Sequence, residues 1–125
     1  MPLERGREAV EAMRELMLAS QPEAVFPLEV RTTAADEAYL SSNYRRASTV
    51  ISVSGVPGRD YWPYLRAVDR LLGAFDARVH WGKLHFLTPE QLARRYPESA
   101  RFIAIRRELD PDGVFLNDHL RPLFE

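Results

Sequence analysis

The pattern of apolar and polar residues along the chain predicts four helices. In three of them apolar side chains recur on one face at helical spacing, and the remaining one is predicted from the signals at its start. The third helix begins at Thr88 with a capping box that Gln91 completes. The predicted helices cover residues 5–19, 59–75, 88–96 and 98–109.

An alternation of apolar and polar residues predicts three short strands. In the first strand, Phe26, Leu28 and Val30 are expected to face the core. The strands cover residues 26–33, 48–54 and 77–87. Two strands in direct succession, and a third reached through a helix, predict an α+β fold. We expect an antiparallel or mixed sheet with helices packed on one face, in a ferredoxin-like, split-βαβ arrangement. Three strands leave exposed sheet edges, which indicates a missing partner strand from another chain or domain.

Length, charge and cysteine content restrict the class of protein. The 125 residues make one domain, and 17 basic against 18 acidic residues give a net charge of −1. This balance argues against nucleic acid or an anionic membrane surface as the partner. The absence of cysteine excludes disulfides, thiolate metal sites and thiol catalysis. No apolar run approaches the roughly 20 residues of a membrane span. We therefore expect a cytoplasmic protein, with membrane association left open.

The densest group of chemically useful side chains lies between His80 and His85. Lys83, in this segment, is the only lysine among the 17 basic residues, and a lysine ammonium readily changes its pKa in a pocket. On a regular strand Lys83 would share one face with Trp81 and His85. Since neither face would then be apolar, we expect a bulge or a close backbone approach at Gly82. With a single further histidine in the chain, no metal site is expected.

Two polar pairs on the predicted strands are further candidates. Glu29 and Arg31 are two residues apart and therefore share a face, which spacing alone would explain as an exposed ion pair. Ser52 and Ser54 could hydrogen-bond a polar ligand or face solvent. The sequence has no Gly-x-Ser-x-Gly elbow, P-loop or Gly-x-Gly-x-x-Gly motif. The chain therefore carries no recognisable nucleotide-binding element of its own.

Two motifs occur together in a specific combination, His-Trp-Gly-Lys at 80–83 and Asp-Pro-x-x-x-Phe-x-Asn at 110–117. With the strings at 26–31, 35–41 and 95–97, they resemble the C-terminal part of the sugar-1,4-lactone oxidases. These are FAD-dependent enzymes of the vanillyl-alcohol oxidase superfamily, and they include L-gulonolactone, D-arabinonolactone and related alditol oxidases. The resemblance extends from about residue 5 to the end of the chain.

The resemblance implies that the chain is a cap domain over a substrate pocket and that the FAD-binding domain is absent from it. FAD would be bound mainly by that domain, the expected partner, and a small sugar lactone or polyol would be the substrate. Among the catalytic residues, Glu29 would hold substrate hydroxyls, Arg31 would stabilise negative charge on the reduced flavin, and Lys83 would face both. The other substrate- or flavin-facing residues would be His80, Trp81, His85, Ser52, Ser54 and Asn117.

Two functions remain open on the sequence. One is the substrate-domain portion of an oxidoreductase that acts on the CH–OH group of a sugar lactone, with oxygen or another acceptor. The other is a non-catalytic α+β module that binds a small polar ligand or a partner chain. Ser52 and Ser54 bear on this choice, because members of the resembling family commonly carry a histidine on that strand. A cap without its base is also expected to expose an apolar patch and to self-associate.

Overall fold

Helices account for more residues than strands in the computed structural model, which describes residues 1–20 and 27–125. The predicted end of the first helix at residues 21–22, and Phe26 at the start of the first predicted strand, lie outside these ranges. Within the described ranges, no helix is both long enough and apolar enough to cross a membrane. The elements are a 3-10 turn (Leu3–Arg5), α1 (Gly6–Ser20), β1 (Glu29–Thr33), β2 (Ser48–Ser52), α2 (Trp62–Gly73), α3 (Pro89–Arg95), α4 (Ser99–Leu109) and α5 (Arg121–Phe124).

Strands β1 and β2 form an antiparallel pair in which Arg31 lies opposite Val50 and Glu29 lies opposite Ser52. Residues opposite one another point to the same side of a sheet, so these four side chains share one face. Helices α1 and α2 cover the other face, where Ile51 packs against both of them. The prediction of an α+β fold with antiparallel strands and helices on one face is confirmed.

The first core forms where α1 and α2 pack on β2. Met13 of α1 and Tyr64 and Val68 of α2 are buried in it, and Leu28 packs against them. The alternation along the first strand also predicts that Val30 faces the core. That prediction is wrong, because Val30 is 47% exposed. Helix α1 contacts β2, whereas four of the five residues of β1 are exposed among the described residues.

The second core lies in the C-terminal half of the chain. Leu92 of α3, Tyr96 just after it and Phe124 of α5 are buried together there. The predicted capping box at the start of α3 is confirmed, since the Gln91 N–H donates to the Thr88 hydroxyl at 3.3 Å and the Thr88 N–H donates to Gln91 Oε1 at 3.1 Å. The box sets the start of α3 and thereby the direction from which Leu92 and Tyr96 enter the core.

The alternation over residues 77–87 predicts a third strand, and that prediction is wrong. The segment is an extended loop with one turn. A side chain occupies the backbone groups that a partner strand would have satisfied: the Tyr96 hydroxyl accepts from the Val79 N–H at 2.9 Å and donates to the Val79 carbonyl at 3.3 Å. The turn follows, where the Lys83 N–H donates to the His80 carbonyl at 3.0 Å. The side chains of 80–85 therefore do not alternate between two faces of a sheet.

Candidate functional site

A cavity of about 730 Å³ opens where β2, α2 and the loop of residues 77–86 meet. This volume is typical of a small-molecule site. One wall is apolar, with Val53, Leu65 and Val68 along it. The residues predicted for a site that line it are Arg31, Ser52, Ser54, His80, Lys83 and His85. Three separate stretches of the chain thus contribute polar groups to one space.

An ion pair borders the cavity on the β1 side. Arg31 Nε lies 3.3 Å from Glu29 Oε1, and more than half of each side chain is exposed. Of the two residues, Arg31 lines the cavity. An exposed pair of this kind contributes only about 0–1 kcal/mol to stability. The ion pair instead orients Arg31, because Glu29 holds the Arg31 guanidinium on the sheet face that also carries Ser52.

The turn at residues 80–83 presents His80 and Lys83 to the cavity. The Gly82 N–H donates to His80 Nδ1 at 3.1 Å, and the Lys83 N–H donates to the His80 carbonyl at 3.0 Å. These two bonds fix the backbone that carries Lys83. Its ammonium makes no ion pair within the described part of the chain. It is therefore available to a ligand.

Trp81 points away from the cavity and into the second core. Its Nε1–H donates to the Leu40 carbonyl at 2.7 Å. The centroid of its ring lies 5.2 Å from the ring centroid of Tyr96 and 5.5 Å from that of Phe124. The structure therefore does not bring Trp81, predicted to face substrate or flavin, to the candidate site. Trp81 instead anchors the turn that carries Lys83.

His85 lines the cavity but is mostly buried and paired with another histidine. Its Nε2 lies 3.0 Å from Nε2 of His119, so one ring donates and the other accepts. Burial, and then the proximity of His119, lower the pKa of His85, while Asp69 acts in the opposite direction. Its Nδ1 is enclosed and has no partner among the described residues. His85 therefore favours the neutral form and ties the cavity wall to the C-terminal segment.

Sequence comparison now assigns the chain to a family. A family model described as D-arabinono-1,4-lactone oxidase matches residues 1–123. The chain belongs to the D-arabinono-1,4-lactone oxidase family. The resemblance drawn from the motifs at 80–83 and 110–117 is confirmed.

Relatives of this lactone oxidase family match most of the chain but only part of their own length. The chain is 41% identical over 121 residues to an L-gulono-1,4-lactone dehydrogenase of Mycobacterium tuberculosis, an alignment that covers 97% of this chain and 28% of the relative. It is 35% identical over 133 residues to the L-gulonolactone oxidase of Bos taurus, with 99% and 29% covered. It is 40% identical over 98 residues to an alditol oxidase of a Streptomyces species, with 78% and 24% covered. The chain therefore spans less than a third of these relatives.

The closing motif of this lactone oxidase family member shapes the backbone and lies outside the cavity. Asp110 is buried, and its carboxylate accepts from the N–H groups of Val114 and Phe115 at 2.8 and 3.1 Å. Asn117 Oδ1 accepts from the N–H groups of His119 and Leu120 at 3.1 and 2.9 Å. Asn117, predicted to face substrate or flavin, thus holds the turn that positions His119.

Three charged residues that line the cavity were not among the candidates from sequence, namely Asp69, Arg78 and Arg95. For two of these residues, the helical spacing of the sequence could have predicted a position on the inward side of a helix. Arg95 lies three residues after Leu92, on the buried side of α3, and Asp69 lies four residues after Leu65, on the cavity side of α2. A charged residue at an inward position of a helix is the feature that would have identified them.

Proposed function

We propose that the chain is the C-terminal substrate-domain portion of an FAD-dependent oxidoreductase. Its substrate is a sugar lactone of the L-gulono- or D-arabinono-1,4-lactone type, oxidised at a CH–OH group with oxygen or another acceptor. One observation carries the proposal: in a member of this family, Lys83 and Arg31 converge with two serine hydroxyls on one cavity of small-molecule size. The names of the relatives, two of them acting on L-gulonolactone and one on alditols, support this substrate class.

The residues lining the cavity suit a flavin ring and an uncharged polyhydroxylated substrate. Lys83 and Arg31 supply two cationic donors, and Ser52 and Ser54 supply hydroxyls that make no hydrogen bond within the described ranges. FAD, when bound, supplies the acceptor for the hydride that leaves the substrate carbon. The described residues offer no glycine-rich phosphate cradle. We therefore infer that FAD is bound mainly by a domain or chain that precedes this one in the complete enzyme.

The side chains of the cavity would orient the substrate and stabilise charge. The Lys83 ammonium would donate hydrogen bonds to oxygens of the substrate and the flavin. The Arg31 guanidinium would donate to flavin oxygens, which become more negative as the flavin is reduced. Charges held in place before the reaction contribute several kcal/mol to such stabilisation. Glu29 keeps Arg31 oriented, at an Nε–Oε1 distance of 3.3 Å. An apolar wall at Leu65 and Val68 borders the same space.

A surface patch supports the requirement for a partner domain. Leu109 and Val114 are each 77% exposed, and Phe115 is 83% exposed. The three lie close along the chain, at the end of α4 and in the turn that Asp110 holds. Adjacent apolar side chains so strongly exposed are typical of an interaction surface. We infer that the FAD-binding part of the enzyme covers them.

The test is to reconstitute the enzyme and measure reduction of FAD by a sugar lactone in stopped flow. The full chain is combined with the FAD-binding part of a family relative, and flavin absorbance is followed. Lys83→Ala and Arg31→Ala are each expected to slow flavin reduction at least about tenfold, which corresponds to about 1.4 kcal/mol. Arg14→Ala, which removes an exposed arginine of α1, is the matched control and should react like the wild type. Wild-type rates in both cavity variants would contradict the proposal. FAD binding without reduction by any lactone or alditol would favour a non-catalytic module.

A further inference from the structure

Arg95 is a buried arginine without an acidic partner among residues 1–20 and 27–125. Only 5% of the residue is exposed, although arginine is almost never buried unless it is paired. No ion pair within the described ranges involves it. Its guanidinium has five N–H donors, and it makes one hydrogen bond to the part of the chain that the structure describes, from Nη1 to the Ala77 carbonyl at 3.1 Å. The charge is thus desolvated without being balanced.

The guanidinium lies at the wall of the cavity. Its Nη1 bonds Ala77 and its Nη2 lies against Gly73, since a Cβ built on Gly73 would be 2.8 Å from that nitrogen. Ala77 and Gly73 both line the cavity. Nη2 has no hydrogen-bond partner among the described residues, and it is not among the fully enclosed atoms, whereas Nε is. One amino group of Arg95 is therefore open to the cavity.

The charge of the surroundings does not compensate Arg95. The cavity is also lined by Arg31, Arg78 and Lys83, and its one acidic residue within the described ranges is Asp69. Burial, followed by the charge of Arg46, lowers the pKa of Arg78, with Asp76 opposing. The C-terminal end of α2, at Gly73, directs backbone carbonyl dipoles towards this region. Those dipoles stabilise a cation but carry no net charge.

We propose that the end of the cavity between Gly73 and Ala77 is an anion subsite, in which Arg95 Nη2 binds an oxyanion, either a carboxylate or a phosphoryl group. A bound oxyanion would balance the buried guanidinium and accept the hydrogen bonds that the protein leaves unmade. Lys83 and Arg31, across the same cavity, would add attraction for a negative ligand. The inference does not depend on the proposed redox function, because it concerns the chain without flavin.

The test measures anion binding by the full chain through its thermal unfolding midpoint, followed by circular dichroism. Sodium phosphate and, separately, sodium gluconate are titrated, and sodium chloride keeps the ionic strength constant. A ligand that binds only the folded chain raises the midpoint in a saturable way. We expect saturation in the wild type and in Arg94→Met, which removes an exposed arginine next to Arg95. A stronger effect of gluconate would identify a hydroxy-acid carboxylate, and a stronger effect of phosphate would identify a phosphoryl group.

Arg95→Met should weaken the binding of that anion at least about tenfold. A second variant covers the case in which Arg95→Met does not fold. Gly73→Ala keeps every charge but introduces a Cβ 2.8 Å from Nη2, so it too should weaken binding. Amide chemical shifts of the wild type, followed by NMR during the same titration, should change in a saturable way at Gly73 and Ala77. The proposal is overturned if neither anion saturates, if Arg95→Met binds like Arg94→Met, or if saturable shifts map elsewhere.

Discussion

Replacing Trp81 by phenylalanine tests whether the tryptophan of the His-Trp-Gly-Lys motif is a structural anchor. The indole Nε1–H donates to the Leu40 carbonyl at 2.7 Å, and phenylalanine has no such donor. Loss of a neutral hydrogen bond costs about 1 kcal/mol. The smaller phenylalanine ring also leaves space beside Tyr96 and Phe124, whose ring centroids lie 5.2 and 5.5 Å from that of the indole. Incomplete filling of a core costs about a further 1–2 kcal/mol.

The expected loss of unfolding free energy for Trp81→Phe is therefore about 2–3 kcal/mol. Urea unfolding followed by circular dichroism at 222 nm measures it without relying on tryptophan fluorescence. With a slope of about 1–3 kcal/mol per molar urea, the midpoint should fall by about 0.7–3 M.

The second tryptophan of the chain is the matched control. Trp62 is 44% exposed and donates no side-chain hydrogen bond within the described ranges. Trp62→Phe should therefore lower stability by about 0.5 kcal/mol or less. If Trp81→Phe were no less stable than Trp62→Phe, Trp81 would not be an anchor. If Trp81→Phe lost ligand binding without losing stability, Trp81 would instead be a residue that contacts the ligand.

Two further predictions concern pH and association. Because burial and His119 lower the pKa of His85 below its unfolded value of about 6.5, the unfolded chain binds the proton more readily. The contribution of His85 to stability is then full above about pH 6.5 and falls as pH drops below it. The N-terminal amino group, whose pKa burial lowers from 8.0 to about 6, contributes with the same sign, but its contribution already falls below about pH 8. His85→Phe should therefore reduce the loss of urea stability between pH 7.5 and 5, and an unchanged pH dependence would contradict the assignment. The isolated chain should self-associate through the apolar patch of Leu109, Val114 and Phe115, which light scattering measures as an increased apparent mass. Phe115→Ser should reduce this mass, whereas Pro111→Ser should not. Equal apparent masses of the two variants would show that the patch does not cause the association.

Local sequence rules predicted α1 to α4, because each of these helices carries its own signals, but they did not predict the short helix α5. The capping box of Thr88 and Gln91 forms as predicted. The apolar stripe of α2 likewise places Tyr64 and Val68 in the first core. Both features depend on residues within four positions of one another, which is the range over which helix geometry acts.

The segment 77–87 could not be predicted from its own residues, because its backbone partner is distant in sequence. The Tyr96 hydroxyl, 17 residues away, bonds both polar groups of Val79. No periodicity within the segment reveals that a side chain replaces a strand. The same holds for Trp81 and Asn117. Their motif identified the family, while the direction of each side chain depends on contacts with Leu40 and with the C-terminal turn.

The position of the candidate site depends on how the two cores are joined. Arg31 belongs to the sheet beside the first core, whereas Lys83 is held by the Trp81 anchor in the second. The helices of one core make few contacts with those of the other. Polar bonds join them instead: Arg95 of α3 donates from Nη1 to the carbonyl of Ala77, just after α2, at 3.1 Å, and Arg78 donates from Nε to the Arg95 carbonyl at 2.7 Å. Because hydrogen bonds are directional, these two bonds orient α3 relative to the end of α2. Apolar contacts are not directional and would constrain that orientation less.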